Sequence, residues 1–197
     1  MIMGNITSIY RTLIQPAFQQ PYTEGSSFEE EIFCEYINSK GLPIEREVSL
    51  ITIGIKPQDI TVKNLKCQWT TLVRFIKNRT QLPKNEIIRL LDLIEDYSFN
   101  TSSQSFDFVL WDSWNKNMPI SIVECNGLFH YQAISNREKD EVEFAQQLVR
   151  DYIKYRETKK LGIDFYEYNA ARYHSNYTPA WERDRIHQEL DQAFRCA

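Results

Sequence analysis

Between residues 106 and 125 the chain carries two β-prone runs, Phe106-Asp107-Phe108-Val109-Leu110-Trp111 and Ile120-Ser121-Ile122-Val123-Glu124-Cys125, joined by a turn through Asn115-Lys116-Asn117. Short runs rich in aromatic and β-branched residues, separated by turn formers, predict a β-hairpin. Apolar residues from about Lys139 to Lys159 then recur at helical spacing, Gly162 stops that helix, and Ile163 to Tyr168 reads as a further strand. Strand, helix and strand in succession predict an α/β fold with a central mixed sheet flanked by helices.

Upstream, Ser27-Phe28-Glu29-Glu30 forms a capping box that opens a helix carrying Phe28, Ile32, Phe33, Tyr36 and Ile37, with Gly41 and Pro43 stopping it. Ile44 to Ile55 predicts one or two strands closed by a turn at Lys56-Pro57-Gln58-Asp59. Asn64 to Lys77 fits helix or strand, Pro83 to Tyr97 predicts a helix, and Ser98 to Ser105 reads as a polar turn. The expected organisation is an N-terminal arm over 1–25 with a short helix from Asn5 to Ile14, a main domain over 26–170, and a helical extension over 171–197.

At 197 residues, 42% hydrophobic and 25% charged, the chain has the profile of one folded domain. Its net charge of −4 argues against a binder that relies on overall basicity to neutralise phosphates. It argues less against a nuclease, because a metal site is acidic by construction. The four cysteines form no C-x-x-C pair, which points to a reducing, cytoplasmic setting, and no run approaches a membrane span.

Asp107 stands between Phe106 and Phe108, where an ionised carboxylate costs desolvation unless it is paired or turned to a polar face. Glu124 follows seventeen residues later at the end of the partner strand, so antiparallel pairing can bring the two carboxylates together. Two carboxylates with a carbonyl, water and a substrate phosphate suffice for Mg²⁺ or Mn²⁺. In the plainer alternative Asp107 caps the preceding loop and Glu124 pairs with a lysine or arginine.

The segment Glu124-Cys125-Asn126-Gly127-Leu128-Phe129-His130 follows the pattern E-x-(D/N)-G-x-x-H, preceded by the Phe-Asp-Phe strand and followed by Arg150-Asp151-x-x-Lys154 and Leu161-Gly162-Ile163. Together these resemble the PD-(D/E)xK nuclease superfamily, in the branch of very-short-patch repair endonucleases and related bacterial nuclease domains. The resemblance covers roughly Ser27 to Tyr168; 56–105 is hardly matched and reads as an insertion. It implies a restriction-endonuclease-like core with Asp107 and Glu124 as metal ligands. It also implies a helix glutamate orienting a metal-bound water or a second cation: Glu30 by frame, with Glu29 and Glu31 as alternatives.

Asn126 departs from the pattern, since most of the superfamily has lysine there and the nearer branch commonly aspartate. A neutral amide accepts no proton at neutral pH. His130 could compensate as a general base or as a donor on the phosphate side, and Lys154 could turn its ammonium to the site, as migrated lysines do elsewhere in the superfamily. Against this, a lone histidine is often structural, and Arg150, Asp151 and Lys154 also fit a solvated charged face.

Lys63, Lys66, Arg74, Lys77, Arg79 and Lys84 lie near Trp69 and Phe75, an arrangement that could follow a nucleic-acid backbone with aromatic stacking or form a solvated face. Lys66, Trp69, Arg74, Lys77 and Arg150 are the DNA-contact candidates. The leading expectation is a Mg²⁺- or Mn²⁺-dependent DNA endonuclease serving defence, mobile elements or repair, as a homodimer or in a larger complex. The alternative is a nuclease fold that has lost catalysis and serves as a nucleic-acid- or protein-binding subunit.

Overall fold

A computed structural model describes residues 36, 43–113, 115–133, 135, 137–169, 184, 187, 188 and 191. The expected N-terminal arm, the capping-box helix apart from Tyr36, and most of the C-terminal extension lie outside them. Four strands form the main sheet: β1 (Ile44–Ser49), β4 (Ser105–Trp111), β5 (Pro119–Asn126) and β6 (Asp164–Asn169), in the order β1-β4-β5-β6. β1 runs antiparallel to β4 and β4 antiparallel to β5, while β5 and β6 are parallel. The hairpin expected at 106–125 is the β4–β5 pair. A parallel pair needs a crossover, and the helix α3 (Glu138–Lys160) supplies it.

α3 is oriented by its own ends, with Glu138, Asp140 and Glu141 in the first turn and Lys159 and Lys160 in the last, matching the helix dipole. Gly162, at φ +74°, then takes the left-handed conformation that lets the chain reverse into β6. The ambiguous 64–77 stretch becomes 3₁₀ turns over Val62–Gln68 and the helix α1 (Trp69–Thr80), and α2 (Lys84–Leu93) follows, starting at Pro83.

Two expectations need correcting. The strand beginning at Ile44 ends at Ser49, because Thr52 N donates to Ser49 O, Gly54 N to Ile51 O and Ile55 N to Leu50 O, folding the rest into turns. Leu50, Ile53 and Ile55 are buried there without being strand residues. The polar stretch after Tyr97 is not all turn: β3 (Ser98–Asn100) pairs antiparallel with β2 (Asp59–Thr61). Its one apolar residue, Phe99, is fully buried between exposed neighbours, the alternation of a half-buried strand.

The apolar residues of α1, α2 and β3 join those of β1, β4, β5 and α3 in one cluster. The 56–105 stretch therefore shares a core with the main sheet. α3 packs against β6 and α1 against α3, and the charged groups collect where they meet.

Candidate functional site

The antiparallel register pairs Phe108 with Val123, so Asp107 and Glu124 are the next residues outward and share a sheet face. Parallel pairing sets Glu124 beside Glu167, and Asn126 lies two residues on, on the same face. Asp107, Glu124 and Glu167 thus form an acidic row across three strands. Asp107 is half-buried, and its Oδ2 accepts from the Cys125 backbone N–H at 2.7 Å.

α3 lays a polar stripe over this row. Lys154, buried, donates from Nζ to both oxygens of Glu124, at 2.9 and 3.2 Å. One turn earlier Asp151, 3% exposed, accepts from Gln147 Nε2 at 2.8 Å and lies 3.0 Å from His130 Nδ1. The sequence alternatives for Glu124 are therefore both met geometrically: it pairs with a lysine, and it shares a face with Asp107.

Arg79, in the last turn of α1, is the group that sequence reasoning placed in a basic surface stretch; here it is buried. Its Nη2 is 3.0 Å from Asp151 Oδ2 and its Nη1 2.7 Å from Glu167 Oε1. Both approaches are charge contacts without hydrogen-bond alignment: Nη1 and Nε make no hydrogen bond among the described residues, and Nη2 aligns on His130 Nδ1 at 3.5 Å. Asn126 Nδ2 donates to the same Glu167 oxygen at 3.3 Å. Arg79, Asp151 and Glu167 are the site residues the motif reading missed or left as a charged face. Their signal was positional: Leu72, Phe75 and Ile76 put Arg79 on the apolar face of α1, and Phe144 and Leu148 do the same for Asp151 on α3.

Four carboxylates, Asp107, Glu124, Asp151 and Glu167, face two permanent cations, Arg79 and Lys154. Burial dominates at Glu124 and lifts it to about 8 despite Lys154, with the Asp107 charge adding to the rise. Glu167 is also raised, by burial against the pull of Arg79. Asp151 goes the other way: burial opposes its charge, but Arg79 and then His130 outweigh it and hold the carboxyl well below the usual range. Burial raises the Tyr131 hydroxyl, which faces the Arg79 guanidinium 5.4 Å from its ring.

This surplus of hard oxygen donors suits a divalent cation at Asp107 and Glu124. Among the described residues no three His, Cys, Asp or Glu side chains converge as a ready-made metal cage, so such an ion would draw its other ligands from backbone, water and substrate. Glu30 lies outside the described residues.

The DNA-contact candidates fall in different places. Arg74 and Lys77 are exposed on the outer face of α1. Lys66 is exposed but bonded to Glu95 at 2.7 Å, 5.7 Å above the Trp69 ring. Arg150 is half-buried and donates from Nε to Tyr97 Oη and from Nη1 to Gln147 Oε1, so part of its guanidinium is engaged within the fold.

No protein-family model and no solved structure matches the chain. A protein of Acanthamoeba polyphaga mimivirus, named as an ankyrin repeat protein, is 29% identical over 108 residues, 55% of this chain. The match spans 12% of that protein's length. No helix among the described residues is long and apolar enough to cross a membrane.

Proposed function

We propose that this chain is a Mg²⁺- or Mn²⁺-dependent endonuclease that hydrolyses DNA phosphodiester bonds. The observation that carries the reading is the Lys154 ammonium on both oxygens of Glu124, with Asp107 on the neighbouring strand of the same face. That is a lysine with two carboxylates, the residue set of a PD-(D/E)xK site, with the lysine supplied from α3 in place of Asn126. Three antiparallel strands with β6 added parallel through a helix support the finer assignment of a restriction-endonuclease-like core.

A cation held by Asp107 and Glu124 would supply Lewis acidity and a water of lowered pKa. Lys154 neutralises charge growing on the phosphate oxygens once it shares Glu124 with the cation. His130, held through Nδ1 by Asp151, is the group able to take the proton of the attacking water, which the Asn126 amide cannot do. Defence, mobile-element function or repair are the settings such an activity fits.

Wild type incubated with plasmid and single-stranded DNA is expected to cut with Mg²⁺ or Mn²⁺ and not with EDTA. Asp107→Ala is expected to lose at least about a hundredfold in rate, the scale of losing one electrostatic stabiliser. A folded wild type that cuts neither substrate sinks the proposal. A second reading, a binding subunit without catalysis, is favoured by Asn126, a neutral amide at the position where most of the superfamily has lysine. It expects DNA or protein binding with no metal-dependent cleavage.

If DNA lies along α1, Arg74→Ala and Lys77→Ala should each weaken binding equally across sequences and flatten the slope of log K against log salt by about 1. Equal slopes for variants and wild type in a fluorescence-anisotropy titration would remove α1 from the interface.

A further inference from the structure

The two motif side chains that depart from or extend the superfamily pattern, Asn126 and His130, are each held by a carboxylate, and one guanidinium touches both carboxylates. Glu167 accepts from Asn126, Asp151 lies against His130, and Arg79 contacts Glu167 through Nη1 and Asp151 through Nη2. Arg79 comes from α1, in the stretch where the nuclease resemblance gives no guidance. Its own place is fixed by the Phe75 and Tyr131 rings, 5.6 and 5.4 Å from the guanidinium carbon, and by the C-terminal turn of α1, where the helix dipole favours a cation.

The distances also assign the imidazole proton. Two donors approach His130 Nδ1, Arg79 Nη2 at 3.5 Å and Gln147 Nε2 at 3.3 Å, but each is closer to an Asp151 oxygen, at 3.0 and 2.8 Å. Gln147 donates to Asp151, whereas Arg79 meets Asp151 as a charge contact and aligns an N–H on His130 Nδ1 only at the long limit of a hydrogen bond. An ionised carboxylate only accepts, so the 3.0 Å contact from Nδ1 to Asp151 Oδ2 requires the proton on Nδ1, and in the neutral imidazole Nε2 then carries the lone pair.

We infer that Arg79 is the positioning residue of this site: by bridging Asp151 and Glu167 it locks His130 in the Nδ1–H tautomer with Nε2 free to accept, and fixes the Asn126 amide. It does so without touching the substrate. The catalytic consequence rests on the nuclease reading; the structural claim does not.

The test uses imidazole-nitrogen NMR on the full chain, with the His130 signals identified by their loss in His130→Gln. Wild type should show one tautomer, with Nδ1 protonated. Arg79→Met keeps the apolar bulk and should give averaged tautomers and a shifted Asn126 side-chain amide. Arg79→Lys keeps the charge for folding, but its single ammonium cannot bridge two carboxylates, so it should lose one of the two signatures. On cleaved DNA both variants should lower kcat by about 10- to 100-fold, the usual range for a group that orients a ligand or base, with KM within about twofold.

Retention of the His130 tautomer and the Asn126 amide shift in folded Arg79→Met overturns the inference. If that variant does not fold, retention of both in Arg79→Lys overturns it equally. A wild type that shows the tautomer but cuts no DNA leaves the role of Arg79 standing and removes the nuclease.

Discussion

Replacing Glu124 with alanine while Lys154 stays is expected to cost about 3–5 kcal/mol of folding stability, because an ammonium that is 8% exposed loses the carboxylate it pairs with. The Phe106 ring, 5.6 Å from Nζ, offsets a small part of that loss. Exchanging both members, Glu124→Ala with Lys154→Met, should recover most of it, since two apolar groups bury no charge. Urea unfolding of wild type, both single variants and the double variant closes the cycle. A double variant no more stable than Glu124→Ala would mean that the ammonium left without Glu124 costs nothing. All three variants are expected to be inactive on DNA, so loss of cleavage with full recovery of stability separates the chemistry of this pair from its packing.

The second large effect is at Asp151. Its carboxyl titrates below its unfolded value, about 3.9, since Arg79 and His130 favour the charged form more than burial disfavours it. A group whose pKa is depressed on folding contributes stability that is complete above its unfolded pKa and is lost as pH falls towards its folded one. The unfolding midpoint should therefore drop below about pH 4 in wild type. Asp151→Asn should lose about 3–5 kcal/mol at neutral pH, by leaving Arg79 buried with Glu167 alone, and should show a shallower acid decline. An acid decline as steep in Asp151→Asn as in wild type would place the acid lability elsewhere.

Local pattern carried the hairpin, α3 and β6, because each is a run whose period of two or 3.6 decides its class within its own length. It failed at residues 50–54, where Leu50 and Ile53 are buried in turns while Ile51 is exposed, and at Ser98–Asn100, where one apolar residue between polar ones is too short a run to register. In the site, Asp107 and Glu124 were legible because a hairpin juxtaposes residues near in sequence. Lys154 lies thirty residues from Glu124, and Arg79 seventy-two from Asp151, so those partners follow from the crossover and the packing of α1. A lysine-rich neighbourhood hid Arg79, although its place one turn beyond Phe75 and Ile76 marked it as inward-facing.

The parallel pairing of β5 with β6 has a consequence for synthesis. Glu124 and Glu167 flank the long α3 helix in sequence, so the charge cluster closes only after β6 has left the ribosome and docked. Because this contact spans so much chain, it forms late relative to the local hairpin. A nascent or truncated chain ending before β6 holds Asp107 and Glu124 without Glu167 to anchor Arg79, and whatever chemistry the finished protein performs is withheld until its carboxyl-terminal half is in place.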